Sequence, residues 1–193
     1  DSEKYDTAVP TNKNVVAKIT FDGDGSPVFV TNNSGSMEHE FSSNGSFTFM
    51  LKDQAGNEGS AVVTVSKIDK VAPAAYITYS YTGWTNNNVI ATLITSDDAN
   101  EVIITNNLSD SYTFTENGAF TFEFKDSAGN TANATATVTK IDKIAPKLSY
   151  ELSTEEKTAF GVYAFVNADE PVTIINNGGK TSRQFNSNGE FTC

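Results

Sequence analysis

Cysteine is almost absent from this chain. The one example, Cys193, is the last of 193 residues, so no disulfide forms within the chain and its domains must hold by packing, with or without help from metal. Histidine is as scarce: His39 stands alone, in the polar stretch Met37-Glu38-His39-Glu40, without a counterpart in the repeat copies, and reads as a surface residue. Cys193 has no histidine near it in sequence. No phosphate loop, zinc spacing or nucleophile elbow is present, and the chain reads as non-enzymatic. Positive charge is short as well, with 13 Lys and Arg against 24 Asp and Glu and a net charge of −11. Such a surface repels phosphate and argues against a nucleic-acid partner, while it suits secretion and divalent cations. Apolar runs are too short to span a membrane, which predicts no membrane insertion. No stretch keeps a helical period. Signal peptide, anchor and stop-transfer patterns are missing too, and the opening at Asp1, inside what reads as a first strand, suggests a piece of something longer.

The chain does hold repetition. Residues 44–73 read NGSFTFMLKDQAGNEGSAVVTVSKIDKVAP and residues 117–146 read NGAFTFEFKDSAGNTANATATVTKIDKIAP; 19 of these 30 positions are identical. A third copy begins after Pro146 and reaches N-G-E-F-T-C at 188–193, in the middle of the same phrase. A period of this size signals a string of small domains. The expected boundaries are 1–72, 73–145 and 146–193, with the third domain lacking its last strands. A domain of about 73 residues can enclose one small core. Chains of this kind supply length, spacing or many weak contacts more often than a single active site.

Thr, Val, Phe, Ile and Tyr, broken by Asn-Gly, Gly-Asn, Asp-Gly and Asn-Asn, mark strands with frequent turns. In the second copy the pattern predicts strands over 75–81, 89–95, 102–106, 112–115, 119–125 and 131–141, with a polar loop at 96–101 and a turn at 126–130. Phe120, Phe122 and Phe124 share one face, as do Ala134, Ala136 and Val138. Large residues then meet small ones across a thin core. Pairs at Asn32-Asn33, Asn106-Asn107 and Asn176-Asn177 mark a turn after the third strand. The fold class this predicts is all-β: tandem Ig-like antiparallel β-sandwich domains arranged end to end.

The phrases N-G-x-F-T-F, K-D-x-A-G-N and I-D-K-x-A-P, in that order, resemble the bacterial Ig-like repeats of large cell-surface and S-layer-associated proteins. Similar repeats occur in calcium-stabilised adhesins and in secreted polysaccharide-degrading enzymes. The resemblance covers the whole chain and departs at its two ends. It implies a sandwich fold, an extracellular location and a non-catalytic role.

The junctions at 68–73 and 141–146, Ile-Asp-Lys-x-Ala-Pro, read first as stiff connectors, because proline fixes φ and extends the residue before it. They have a second reading, as calcium sites. The loop after the second strand and the last hairpin turn of an Ig-like sandwich lie at the pole where the linker enters. For the second domain this gathers Asp69, Asp97, Asp98, Glu101, Asp126 and Asn130; for the third, Asp142, Asp169 and Glu170. Calcium takes six to eight oxygens of these kinds. Asp126 and its first-copy partner Asp53 also fit a plain turn-forming role. The run at 22–25, Asp-Gly-Asp-Gly, lacks the spaced ligands of an EF-hand loop. Lys52 and Lys125 lie opposite the Phe row, which disfavours an isopeptide bond.

Three roles follow. The first is a semi-rigid stalk in an extracellular surface protein, its partners the neighbouring Ig-like domains of the same polypeptide. The second is an adhesin or carbohydrate-binding module whose partner is a cell-surface glycan or protein, with Tyr81 and Trp84 as a stacking platform; Trp84 stands where the first copy has Pro10, and packing is its other reading. The third is an accessory region of a secreted polysaccharide-degrading enzyme. The broken third copy is either a fragment boundary or a fold completed by strand addition from a second chain.

Overall fold

Side chains two apart on a strand share a face, and in this chain the shared faces are Phe rows set against Ala and Val rows. The computed structural model describes residues 8–21, 26–97, 101–106, 108–156, 158–190 and 192 and is all-β. The strands are β1 (Val15–Lys18), β2 (Val28–Val30), β3 (Glu38–Phe41), β4 (Gly45–Asp53), β5 (Glu58–Val65), β6 (Ala74–Tyr79), β7 (Val89–Ser96), β8 (Val102–Ile104), β9 (Ser111–Phe114), β10 (Gly118–Asp126), β11 (Thr131–Val138), β12 (Leu148–Leu152), β13 (Val162–Ala168) and β14 (Ser182–Phe185). They form small sheets: β1-β3, β2-β4-β5, β6-β7-β9, β8-β10-β11 and β12-β13-β14. Every ladder between strands is antiparallel.

The second repeat is a β-sandwich of Ig-like type. Val89, Ala91, Leu93 and Phe114 from one sheet pack with Phe122, Phe124, Ala136 and Val138 from the other. The register sets large against small along the hairpin, with Phe120 opposite Ala136 and Phe122 opposite Ala134. Phe122 and Ala136 are both wholly buried. Each buried Phe contributes roughly 1.5–3 kcal/mol. The first repeat follows the same plan, with Phe49 opposite Ala61 and Val15, Phe41, Val65 and Ile68 in its core.

His39 requires a correction. It does have a counterpart, and it is half-buried rather than a plain surface residue. Its ring stacks on Phe47 at 3.7 Å and meets Phe41 edge-on at 4.8 Å. Tyr112 does the same with Phe120 at 3.9 Å and Phe114 at 4.9 Å. Any flat ring here covers the exposed end of the Phe row, so His and Tyr interchange physically although they do not match as letters. A stacked pair of this kind adds roughly 0.5–1.5 kcal/mol.

Asparagine side chains set where strands end. Asn106 Nδ2 donates to the Thr121 carbonyl at 2.7 Å and its Oδ1 accepts the Glu123 N–H at 3.0 Å. The side chain thus replaces the next rung of backbone, and β8 stops at Ile104 rather than running to 106. Asn32 does the same to Thr48 and Met50. A second pair closes each repeat. Asn117 Nδ2 donates to the Ile141 carbonyl at 2.9 Å and Asn117 Oδ1 accepts the Ile141 N–H at 2.7 Å. Asn44 grips Ile68 at 2.9 and 2.7 Å. With those groups taken, β11 ends at Val138, short of the expected 141. Ile141 and Ile68 instead make single parallel bridges, to Thr85 and Thr11.

The chain divides into two units, Asp1–Ile141 and Asp142–Cys193. The first contains both complete repeats. In the second, β12, β13 and β14 form one sheet. Val162, Ala164 and Val166 are half-buried, whereas Val89, Ala91 and Leu93 at the same places in the second repeat are buried. The same face, with Tyr150, Leu152 and Phe185, lines a groove of about 1120 Å³. Among the described residues no second sheet lies over it.

Replacing Asn117 with Ala leaves the Ile141 N–H and carbonyl without their partner and is expected to lower stability by about 1–3 kcal/mol. Phe122→Ala is expected to cost about 3–5 kcal/mol. Urea denaturation of the two variants beside the parent chain checks both.

Candidate metal centre at the junction of the first two repeats

The hairpin turn between β10 and β11 is held by its own first and last residues. The Asp126 N–H donates to the Asn130 carbonyl at 3.0 Å. Asp126 Oδ1 accepts the Asn130 N–H at 2.8 Å and Oδ2 accepts Asn130 Nδ2 at 2.7 Å. Gly129, at φ +94°, supplies a conformation that a side chain would strain. The first repeat builds the same turn. Asp53 accepts Asn57 N at 2.8 Å and Asn57 Nδ2 at 2.7 Å, and Gly56 lies at φ +96°. These contacts, the Asn57 side chain foremost, hold the Asp53 carboxyl below its ordinary pKa. The turn-forming reading of both aspartates is therefore met.

The two turns differ in what lies against them. Asp53 is partly exposed, whereas Asp126 is 1% exposed. The chain entering the first repeat and the chain leaving it meet over the second turn. The Asn12 N–H donates to the Ala128 carbonyl at 3.1 Å, and the Asp69 N–H donates to the Thr11 carbonyl at 2.9 Å. Asn130 Nδ2 reaches the Asp69 carbonyl at 3.1 Å. Asp69 Oδ1 accepts the Val71 N–H at 2.9 Å, which shapes the linker just ahead of Pro73.

This arrangement gathers three carboxylates. Ala74 pairs with Ser96 at the open end of β6 and β7, so the linker before β6 lies beside Asp97 just after β7. Asp69, Asp97 and Asp126 each place an oxygen within 4.8 Å of the others. Asp69 and Asp97 are half-buried. Like charges at that separation repel by roughly 3–4 kcal/mol per pair at an effective dielectric near 20. A divalent cation reverses the sign. The donor set is all oxygen, and a carboxylate oxygen that accepts one hydrogen bond keeps a lone pair for a metal, so it fits calcium better than a thiolate- or imidazole-seeking metal.

The remaining expected ligands divide. Asn130 is at the centre, with its Nδ2 toward Asp126 and Asp69. Glu101 is exposed and outside the group of three. Asp98 lies outside the described residues, as do residues 22–25. In the second unit, Asp142 Oδ1 accepts the Ile144 N–H at 3.0 Å, repeating the Asp69 geometry. Asp169 Oδ1 accepts the Lys147 N–H at 2.8 Å and closes the end of the β12–β13 ladder. Glu170 is half-buried and follows it. Among the described residues, Asp142, Asp169 and Glu170 form no second group of three. No counterpart of the β10–β11 turn, the source of Asp126, is described in that unit.

Asn12 escaped sequence reasoning because its junction contact is made by backbone, which carries no residue signature. Asn44 and Asn117 were legible only as turn punctuation. Trp84 and Tyr81 are exposed, at 70% and 55%, so packing does not account for Trp84. Lys52 and Lys125 are exposed on the outer face, as expected. No helix among the described residues is long and apolar enough to cross a membrane. Compared with protein-family models, with curated proteins and with solved structures, the chain matches none.

Gly129→Ala is expected to destabilise the chain by about 1–3 kcal/mol, because alanine is strained at that φ; thermal melting beside Gly118→Ala, at an ordinary φ, checks it. For Asp53 the sign follows from its lowered pKa. Its contribution is complete above the ordinary carboxylate range and is lost as pH falls through its own lower value. The variant Asp53→Ala should therefore lose less stability than the parent between neutral and acid pH, read by denaturation across that range.

Proposed function

We propose that this chain is a non-catalytic spacer of a bacterial extracellular surface protein, its Ig-like repeats forming a semi-rigid stalk with calcium at the joint between the first two. One observation carries the proposal: the linker, the end of β7 and the β10–β11 turn bring Asp69, Asp97 and Asp126 together at the joint, where a cation would tie all three segments. Asp69, Asp97 and Asp126 would hold the ion, and the ion would supply charge neutralisation and cross-linking there. The Asn12–Ala128 and Asn130–Asp69 hydrogen bonds support a joint with little swing. The acidic surface and the lack of cysteine pairs suit a secreted bacterial chain.

A second reading is favoured by the exposed Trp84 and Tyr81. Aromatic faces of this kind stack on sugar rings, which supports an adhesin or carbohydrate-binding role. Binding on a glycan array that disappears in Trp84→Ala would replace the spacer reading with this one.

Calcium at 100 times its Kd should add about 2.7 kcal/mol of stability, seen as a higher melting temperature that EDTA reverses and that Asp97→Asn abolishes. Equal melting in calcium and EDTA overturns the cation. The spacer reading has a separate test in small-angle scattering: the longest dimension should grow in proportion to the number of linked repeats, and a compact particle overturns it.

A further inference from the structure

The outer sheet face of the third repeat differs from the same face in the other two. Tyr163 and Phe165 project from β13 on the side opposite Ala164 and Val166, because successive side chains on a strand alternate. They are 42% and 44% exposed, and their rings are parallel to within 22° with centroids 6.2 Å apart. Across the ladder Tyr163 pairs with Gln184 and Phe165 with Ser182. The same register in the second repeat sets Ile90 against Thr113 and Thr92 against Ser111. In the first it sets Val16 against Glu40 and Lys18 against Glu38. The sheet is therefore built without rings at these places. Their exposure is also a property of the face itself: Ile90 and Val16, at the place of Tyr163 in the two complete repeats, are exposed as well.

Polar groups frame the rings. The Tyr163 hydroxyl donates to Gln184 Oε1 at 3.1 Å, which orients the amide and leaves its Nε2 donors on the side away from that hydroxyl. Gly161 clears the space beside them: a Cβ there would stand 2.5 Å from Gln184 Nε2 and 2.6 Å from Asn186 Oδ1. A donor and an acceptor thus come together over one backbone position. Gly161, Tyr163, Phe165, Ser182, Gln184 and Asn186 are all uncharged, in a chain of net charge −11. Glu151, opposite Phe165 on β12, borders the face.

We propose that this face binds a neutral glycan chain, with the Tyr163 and Phe165 rings as its platform and the Gln184 and Asn186 amides as its hydroxyl-binding edge. A sugar ring offers C–H groups on its flat faces and hydroxyls around its rim. The C–H groups match the negative face of an aromatic ring. Two neighbouring hydroxyls, each donor and acceptor, match Nε2 beside Oδ1. Two rings set two residues apart along one strand give an elongated contact, which suits linked sugars better than a single one. An acidic polymer would instead meet the negative charge of the chain itself. An open sheet face buries little of its ligand, so the Kd is on the order of 0.1–1 mM. The site goes beyond the calcium joint. It lies wholly in the second unit, whereas Trp84 belongs to the first, and it shares with the Trp84 reading only the class of ligand.

The test is calorimetric titration of the full chain with neutral hexasaccharides of glucose, xylose, mannose and N-acetylglucosamine, beside a heparin hexasaccharide as the charged comparison. At least one neutral probe should bind more tightly than heparin. Tyr163→Ile combined with Phe165→Thr installs the residues that the second repeat carries at these places, so the sheet is kept. This variant should melt as the parent does and bind at least about tenfold more weakly. Gly161→Ala displaces the two amides and should weaken binding about threefold, while Trp84→Ala should stay within about twofold of the parent. No binding of any neutral probe, tighter binding of heparin, affinity unchanged in the ring variant or in Gly161→Ala, or loss of binding in Trp84→Ala would each overturn the proposal. Only the last of these would support the Trp84 reading in its place.

Discussion

The two hydrogen bonds between Asn117 and the backbone of Ile141, and their copies between Asn44 and Ile68, determine where a repeat ends and its linker begins. By taking the N–H and carbonyl of one residue, the amide stops the last strand from running on. The freed chain crosses to a single parallel bridge and turns toward the next repeat. Asp69 follows Ile68 directly, so its position over the neighbouring turn depends on the first clamp. The joint, the gathering of carboxylates and the direction of the next strand all depend on this local contact.

Asp53 and Asp126 separate what a turn does from what its surroundings do. Their sequences, hydrogen bonds and glycine conformations correspond closely. One turn faces solvent and forms a hairpin. The other lies beneath the chain entering and leaving the first repeat, and its aspartate is sealed from water beside two more carboxylates. No new chemistry was needed in the turn itself: burial and neighbours convert a structural residue into a candidate ligand.

The sandwich was legible because alternation has one physical meaning. Phe120, Phe122 and Phe124 can share a face only on a strand, and their matching to Ala134 and Ala136 follows from hairpin register. Strand ends were read less well. The period of two continues through 106 and 141, but Asn106 and Asn117 replace backbone rungs with side-chain ones, an effect that sequence pattern does not display. His39 was misread because identity between copies is a test of letters, while the pocket beside the Phe row tests only for a flat ring. Of the expected ligands, Asp69, Asp97 and Asp126 come together, whereas Glu101 is exposed and lies outside that group.

The sequence alone determined the repeat, the all-β class, the faces of each hairpin and the turn chemistry of Asp-x-Ala-Gly-Asn. Each rests on contacts between residues near in sequence or on a strict period. The tertiary structure decided that Asp126 is buried while Asp53 is not, that Asn12 contacts Ala128, and that three carboxylates converge. Those outcomes require segments more than 50 residues apart to meet, and no local pattern encodes how one repeat rests on the next.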